Sequence, residues 1–223
     1  MAVVVCITSF FAHPAEAAPV ASHGNTNFTL DFLQLRCVEE TDWDQGTASD
    51  EPYVIFFVAN MSTLNGLVKR TEVFKDVDTG NTRTREGQPR LWGLNNTAAA
   101  ITNASDLIIL AAVMENDASE ASEIVTTIQP ILLANLVAYR RAGLSRATIV
   151  SNLRRDMNNA IDIAAVASGV TNPDDRLGDT QELALTHTNL NTAASGQVVD
   201  FTLRFRDSGE DATYTVVFRL RAV

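Results

Sequence analysis

Histidine and cysteine are scarce in this chain: of 223 residues, three are His and two are Cys. Cys6 lies in an apolar N-terminal stretch and Cys37 in a strand-like one. The chain therefore has no disulfide framework and no Cys/His set with zinc-ligand spacing. The expected role of Cys37 is that of a small buried hydrophobe. Long apolar runs are missing too. Residues 3–11, VVVCITSFF, fall far short of the roughly 20 residues that span a bilayer, and no other run reads as a membrane helix. The nucleophile elbow, H-E-x-x-H, the phosphate-binding loop and the dinucleotide fingerprint are all absent. His13 and His23 fall in the N-terminal lead. His187, between Thr186 and Thr188, reads as a partly exposed strand residue rather than a catalytic base. Basic residues are outnumbered, 17 Lys and Arg against 27 Asp and Glu, for a net charge of -10. So acidic a chain repels phosphate, which disfavours general nucleic-acid binding by counterion release.

Hydrophobic residues make up 46% of the chain, enough for a packed core and too many for a disordered one. Ala15-Glu16-Ala17 follows the first apolar run and matches the small-residue pattern of a signal-peptidase site. Residues 1–17 are therefore expected to be a secretory signal remnant, lacking a basic leading region, and residues 18–27 a polar lead-in. The expected location is extracellular.

Residues 28–38 read as a strand. Residues 53–59, YVIFFVA, and 107–114, LIILAAVM, are continuous apolar runs of buried-strand type. A shorter strand is expected at Glu72–Asp76 and another near 182–188, with a long loop of limited structure over 79–104. Val199, Phe201, Leu203 and Phe205 alternate with polar residues, as do Tyr214, Val216, Phe218 and Leu220. The turn-rich Asp207–Asp211 joins them into a hairpin with one wet face. Ile124, Ile128, Leu132, Leu136 and Tyr139 recur at helical spacing, and so do Ile149, Leu153, Met157 and Ile161. Gly143 reads as a helix stop and Ser145 as the next N-cap, which forces an antiparallel helical hairpin. Pro130 is expected to kink or break the first helix. Strands, a helical pair and strands again give a β-rich domain with an insertion.

The acidic excess is local. Glu39, Glu40, Asp42, Asp44, Asp50 and Glu51 fall within thirteen residues, and no Lys or Arg lies between Arg36 and Lys69. Like charges gathered at one edge repel, and a cation removes that cost. Carboxylate and carbonyl oxygens are hard ligands, which favours Ca²⁺, with Mg²⁺ second. Glu115-Asn116-Asp117 closes one buried run, and Asn172-Pro173-Asp174-Asp175-Arg176-Leu177-Gly178 follows the helical pair. Asp76-x-Asp78-x-Gly80 has Gly87 where an EF-hand needs its twelfth-position Glu, so it reads as a turn. Trp43 and Trp92 fall in expected loops, as local packing residues or, alternatively, as exposed aromatic contacts for lipid or sugar.

Three stretches together resemble the C2 domain. ETDWDQGTASDEPYVIFFV resembles its first metal-binding loop. AVMENDAS, and then NPDDRLG before a strand, resembles the two halves of its third. The resemblance covers roughly 28–78, 107–117 and 172–221. It departs from the family in separating the two halves of that third loop by the helical pair. It also departs in placing Glu115 where the first Asp is expected. The resemblance implies a mainly β fold: an eight-stranded antiparallel C2-like β-sandwich over 28–223 with an αα-hairpin inserted at 119–170. It also implies calcium held by Asp42, Asp44, Asp50, Glu115, Asp117, Asp174 and Asp175, without specifying which of Asp174 and Asp175 binds. The implied role is a non-enzymatic, Ca²⁺-dependent interaction module. Anionic lipid, or a protein or glycan surface, is its partner, with neither nucleic acid nor a transmembrane segment involved. A toxin-like or defence protein using the helical hairpin is one alternative, and a carboxylate-dependent hydrolase is another.

Overall fold

Tyr53–Ala59 and Leu107–Met114 contain no charged residue, and a strand with no polar face must be covered on both sides. The structure, a computed structural model, meets that demand with three layers. It describes residues 26–40, 50–86, 88–93, 97–116, 121–167, 174–207 and 212–223. The expected signal remnant, most of the lead-in, Asp42, Trp43, Asp44 and Asp117 lie outside these residues.

One sheet holds β1 (Asn27–Glu39), β4 (Thr82–Thr84), β5 (Arg90–Trp92), β6 (Ala99–Ala100), β10 (Val199–Arg206) and β11 (Thr213–Ala222). Its order is β10-β11-β1-β4, with β5 and β6 also paired to β1. The other holds β2 (Pro52–Asn60), β3 (Asn65–Arg70), β7 (Leu107–Glu115), β8 (Asp175–Arg176) and β9 (Gln181–Glu182). Its order is β3-β2-β7-β8, with β9 also on β7. Every pairing between named strands is antiparallel. The third layer is the helical pair α1 (Ala121–Arg141) and α2 (Arg146–Ala167), inserted between β7 and β8. This is the antiparallel sandwich with an inserted helical hairpin that the resemblance implies. Strands of two or three residues raise the count from eight to eleven among the described residues.

Alternation along β2 and β7 divides their side chains between two cores. Val54, Phe56, Val58, Ile109, Ala111 and Val113 face the other sheet, where Phe28, Leu30, Phe32, Val216, Phe218 and Leu220 meet them. Tyr53, Ile55, Phe57, Ile108, Leu110 and Met114 face the helices and pack with Ile128, Leu132, Leu136, Leu153, Met157 and Ile161. The register Pro52↔Glu115 to Asn60↔Leu107 runs without a bulge, so every residue of both strands keeps its assigned face.

The helical hairpin forms as its sequence demands. Gly143 has φ +70, the left-handed turn that stops α1. The Ser145 hydroxyl accepts from Thr148 N–H at 3.2 Å, the N-cap of α2. Pro130 does not end α1, which continues to Arg141. Pro130 and Thr126 are both exposed, so the carbonyl that loses its amide partner faces water. By length and composition α1 is apolar enough to cross a membrane, with a mean hydropathy of 1.4 over its best window, contrary to expectation. Its apolar stripe of Ile124, Ile128, Leu132 and Leu136 is buried on the sheet.

Three other expectations are corrected. The strand after β2 is Asn65–Arg70 rather than Glu72–Asp76, because the chain reverses at once through 61–64. The Asn60 side chain accepts there from Ser62 and Thr63 N–H. The expected strand near 182–188 is two residues of β9 followed by α3 (His187–Ala194). Thr186 and Asn189 form a reciprocal capping box that starts this helix, so His187 is helical. The expected loop 79–104 contains β4, β5 and β6, and Trp92 sits in β5, its indole N–H donating to Ala99 O at 2.9 Å.

Because β2 and β7 belong to both cores, neither core can melt alone. Leu132→Ala in the helical layer and Leu220→Ala between the sheets are each expected to cost about 2–5 kcal/mol. Each variant should retain one cooperative transition when denaturation is followed by far- and near-UV circular dichroism together. Two separated transitions in Leu132→Ala would show the hairpin to be an independent unit.

Candidate functional site at the acidic end

Strand register brings the acids to one end of the sandwich. Pro52 pairs with Glu115, and Glu115 with Asp175. Glu39 pairs with Thr213, whose hairpin partner is Arg206, next to Asp207. Glu39, Glu40, Asp50, Glu51, Glu115, Asp174, Asp175 and Asp207 therefore share this end. Of the seven expected ligands, Asp50, Glu115, Asp174 and Asp175 are described and all lie here. Asp42, Asp44 and Asp117 belong to segments outside the described residues.

The described carboxylates differ in environment. Asp50 is 1% exposed, Asp174 4% and Glu115 7%. Tyr214 Oη donates to Asp50 Oδ2, and Tyr53 Oη donates to Asp174 Oδ2 at 2.8 Å. Burial, and the neighbouring carboxylate second, pushes both phenols far above their ordinary range, so they remain donors at any physiological pH. Asp175 is exposed, on β8. Its carboxyl is raised first by lost hydration and then by Asp207, Asp174 and Asp162, so like charges crowd this edge. Gly178 ends the NPDDRLG stretch with φ +81, and a Cβ there would lie 2.5 Å from the Arg206 carbonyl oxygen. The glycine thus lets the segment after Asp174 and Asp175 seat against β10.

Cys37 lies beneath this end. It is fully buried, opposite Tyr214 in register, and burial pushes its thiol from 9.0 to about 11. That is the inert buried role expected for it. The turn at Asp76–Gly80 also packs here: Val77 N–H donates to Asp50 O, and Thr79 Oγ1 accepts from Glu40 N–H.

Asn116 is a further residue of the site, one that the ligand expectation passed over. Its backbone N–H donates to Glu51 O at 3.1 Å, and its Nδ2 donates to Glu51 Oε2 at 3.3 Å. Its Oδ1 is buried without a hydrogen-bond partner among the described residues. An amide oxygen left without a donor among carboxylates suits a hard cation. Among the described residues no group of three or more His, Cys, Asp and Glu is placed to hold a metal ion. The described carboxylates and Asn116 share this end of the sandwich without forming a metal site by themselves. The arrangement can concentrate cations. Among the described residues it contains no histidine: His187 opens α3 elsewhere, with its Nδ1 buried and unpartnered.

No protein-family model matches the chain, and no curated protein matches it in sequence. Several solved structures are similar to it. The C2A domain of plant extended synaptotagmin 1 is 8% identical with a TM-score of 0.39, over 91% of this chain and 95% of that one. The structure described as CC2D1B is 7% identical at 0.38, over 88% and 55%. Human GIVD cytosolic phospholipase A2 is 10% identical at 0.36, and the match spans 91% of this chain and 17% of the phospholipase. At TM-scores below 0.5, nothing about this chain's ligands or activity follows from these likenesses.

Two outcomes follow from the buried pairs. Tyr214→Phe leaves Asp50 one donor short and should cost about 1–3 kcal/mol in chemical denaturation at neutral pH. The raised Cys37 thiol favours the protonated folded state. Its stabilising contribution is complete below pH 9, the ordinary thiol value, and is lost as pH rises through about 11. Mass spectrometry of the Cys37 peptide after iodoacetamide at pH 8 should find it unmodified in the native chain and alkylated in denaturant.

Proposed function

We propose that this protein is an extracellular, non-enzymatic interaction module whose acidic end takes up Ca²⁺. The observation that carries this reading is the buried Asn116 Oδ1, without a hydrogen-bond partner among the described residues, next to Glu115 in the chain and at the sandwich end that Asp50, Asp174 and Asp175 share. Asn116 would supply a neutral oxygen, Asp175 an exposed carboxylate, and Asp174 and Glu115 the buried ones. Asp42, Asp44 and Asp117 would complete the sphere. Bound calcium offsets the repulsion among Asp175, Asp207, Asp174 and Asp162. It also presents a positive site to an anionic lipid or to an acidic protein or glycan surface. The secretory reading of residues 1–17 places the site where calcium is abundant, so an affinity of about 10⁻⁴–10⁻³ M suffices.

The toxin-like reading assigns the helical hairpin to membrane contact. It receives less support, because the apolar stripe of that hairpin covers the five-stranded sheet.

Thermal unfolding of the full chain in chelator and in millimolar calcium tests the proposal. Calcium at about ten times its Kd should add about 1.4 kcal/mol of stability. Asn116→Ala should weaken that gain. Asp175→Asn should raise the midpoint in chelator at pH 7, because it removes a repelled charge. A raised carboxyl favours the protonated folded state, so this advantage should vanish in acid, where Asp175 itself is protonated. Asp175→Asn should also blunt the response to calcium. A chain indifferent to millimolar calcium, by both thermal shift and calorimetry, would overturn the reading.

A further inference from the structure

The tripeptide Asn-x-Ser/Thr, with x other than Pro, occurs four times, as Asn27-Phe28-Thr29, Asn60-Met61-Ser62, Asn95-Asn96-Thr97 and Asn103-Ala104-Ser105. It is the acceptor motif for N-linked sugar in a secreted chain. Asn95 lies outside the described residues. The other three are scattered in sequence, and the fold gathers them. Asn27 opens β1 and pairs with Ala100 of β6. Asn60 closes β2, opposite Leu107 at the start of β7. Asn103 caps the single 3₁₀ turn Ala104–Asp106 that leads into β7. Met61 N–H donates to Asp106 O at 2.7 Å, which sets the turns after Asn60 and Asn103 side by side. A cavity of about 370 Å³, whose lining includes Asn60, Trp92 and Ala99, joins them to β5 and β6 of the other sheet. All three thus occupy one end of the sandwich, opposite the acids. β2 has nine residues, with Pro52 at the acidic end and Asn60 here, so about 26 Å separates the two ends.

Two of these asparagines share one arrangement. Asn60 Oδ1 accepts from Ser62 N–H at 2.9 Å and from Ser62 Oγ at 2.6 Å. Asn103 Oδ1 accepts from Ser105 N–H at 3.0 Å and from Ser105 Oγ at 2.7 Å. In each, the third residue of the motif engages the side-chain oxygen of the first. Such a turn spans three residues and needs no tertiary contact, so it is open to a chain that has not yet folded. The amide nitrogen is left over. Among the described residues neither Nδ2 makes a hydrogen bond, and neither is buried, so both open to water. Asn27 is exposed outright. A bulky polar substituent on any of the three therefore stays outside both cores.

We infer that Asn27, Asn60 and Asn103 are N-glycosylation sites, which give the sandwich a sugar-bearing end opposite its acidic one. The inference rests on the secretory reading of residues 1–17 and is independent of calcium. The donor it requires is an oligosaccharide activated as a lipid-linked diphosphate. A C–N bond forms between Asn Nδ2 and the anomeric carbon of the first sugar, and the bond from that carbon to the diphosphate oxygen breaks. The lipid diphosphate leaves with the electron pair, Nδ2 gives up a proton to solvent, and nothing is oxidised or reduced. The Asn carbonyl keeps its contacts with the hydroxyl two residues on. Sugar at this end shields the turns around Asn60 and Asn103 and leaves the acidic end bare for a partner.

The test is production of the full chain in a eukaryotic secretory host, once with its own N-terminus and once behind a proven cleavable leader. Chain is recovered from both medium and cells. Enzymatic release of N-linked sugar in heavy-oxygen water converts each occupied Asn to a labelled Asp, which peptide mass spectrometry reads by position. Label is expected at Asn27, Asn60 and Asn103. Ser62→Ala and Ser105→Ala should each abolish label at their own Asn and lower the gel mass by one glycan. Ser62→Thr keeps the hydroxyl and should keep the label. Asn65→Gln alters an exposed asparagine at the same end that lacks the motif, and should change nothing. Every readout is covalent, so a variant that folds poorly is still scored. Label in the leader-borne chain alone shows the sites competent and the secretory reading at fault. A leader-borne chain without label at these three positions, or label at Asn60 that survives Ser62→Ala, would overturn the inference.

Discussion

The burial of β2 and β7 on both faces is the constraint on which the rest of this protein depends. A sheet strand normally saves one face for water, and these two have none to spare. Sheet packing covers one side, and the long insertion between β7 and β8 covers the other. The helical hairpin is thus half of the second core, contributing Ile128, Leu132, Leu153, Met157 and Ile161 to it. Its removal would leave Ile55, Phe57, Ile108 and Leu110 against water, an apolar face far larger than a soluble surface tolerates.

The same constraint orders the acidic end. With β2 and β7 held in unbroken register, Pro52 and Glu115 meet, and the short β8 adds Asp175 beside them. Two tyrosines then connect layers through carboxylates. Tyr214 of the six-stranded sheet reaches Asp50 at the entry to β2, and Tyr53 of β2 reaches Asp174 at the exit from the helices. These acids hold the strand ends together, while Asp175 stays exposed and Asn116 keeps its Oδ1 buried. Charge is sorted by position: acids crowd the end, and the lysines, with four of the arginines, occupy the open side between sheet edges.

Much of this architecture was legible in the sequence because it rests on local patterns. The runs at 53–59 and 107–114, the alternating terminal hairpin, the helical stripes, Gly143 and Ser145 each express a short-range rule. The strands β4, β5 and β6 were not legible, since two or three residues become a strand only because β1 lies beside them. The α3 helix was missed although Thr186 and Asn189 spell out its cap, because the apolar Leu183 and Leu185 before it mimic a strand period. At the site, the placement of Asp50, Glu115, Asp174 and Asp175 on one end followed from their positions at strand termini. Their tyrosine partners lie 164 and 121 residues away in sequence, and no spacing rule reaches that far. The basic side was hidden for the same reason: its cations come from two sheet edges that only the closed sandwich sets side by side.

The pairing of β1 with β11 carries a consequence for the order of synthesis. Phe28 lies opposite Ala222, so the central strand of the six-stranded sheet waits for a segment far downstream of it to leave the ribosome. The Glu115–Asp175 pairing likewise waits for the whole helical hairpin. Contacts between such distant residues form slowly, because each closes a long loop of chain first. Until then β2 and β7 present bare apolar strands. A nascent chain of this design depends on being shielded, or threaded onward unfolded, until β11 arrives.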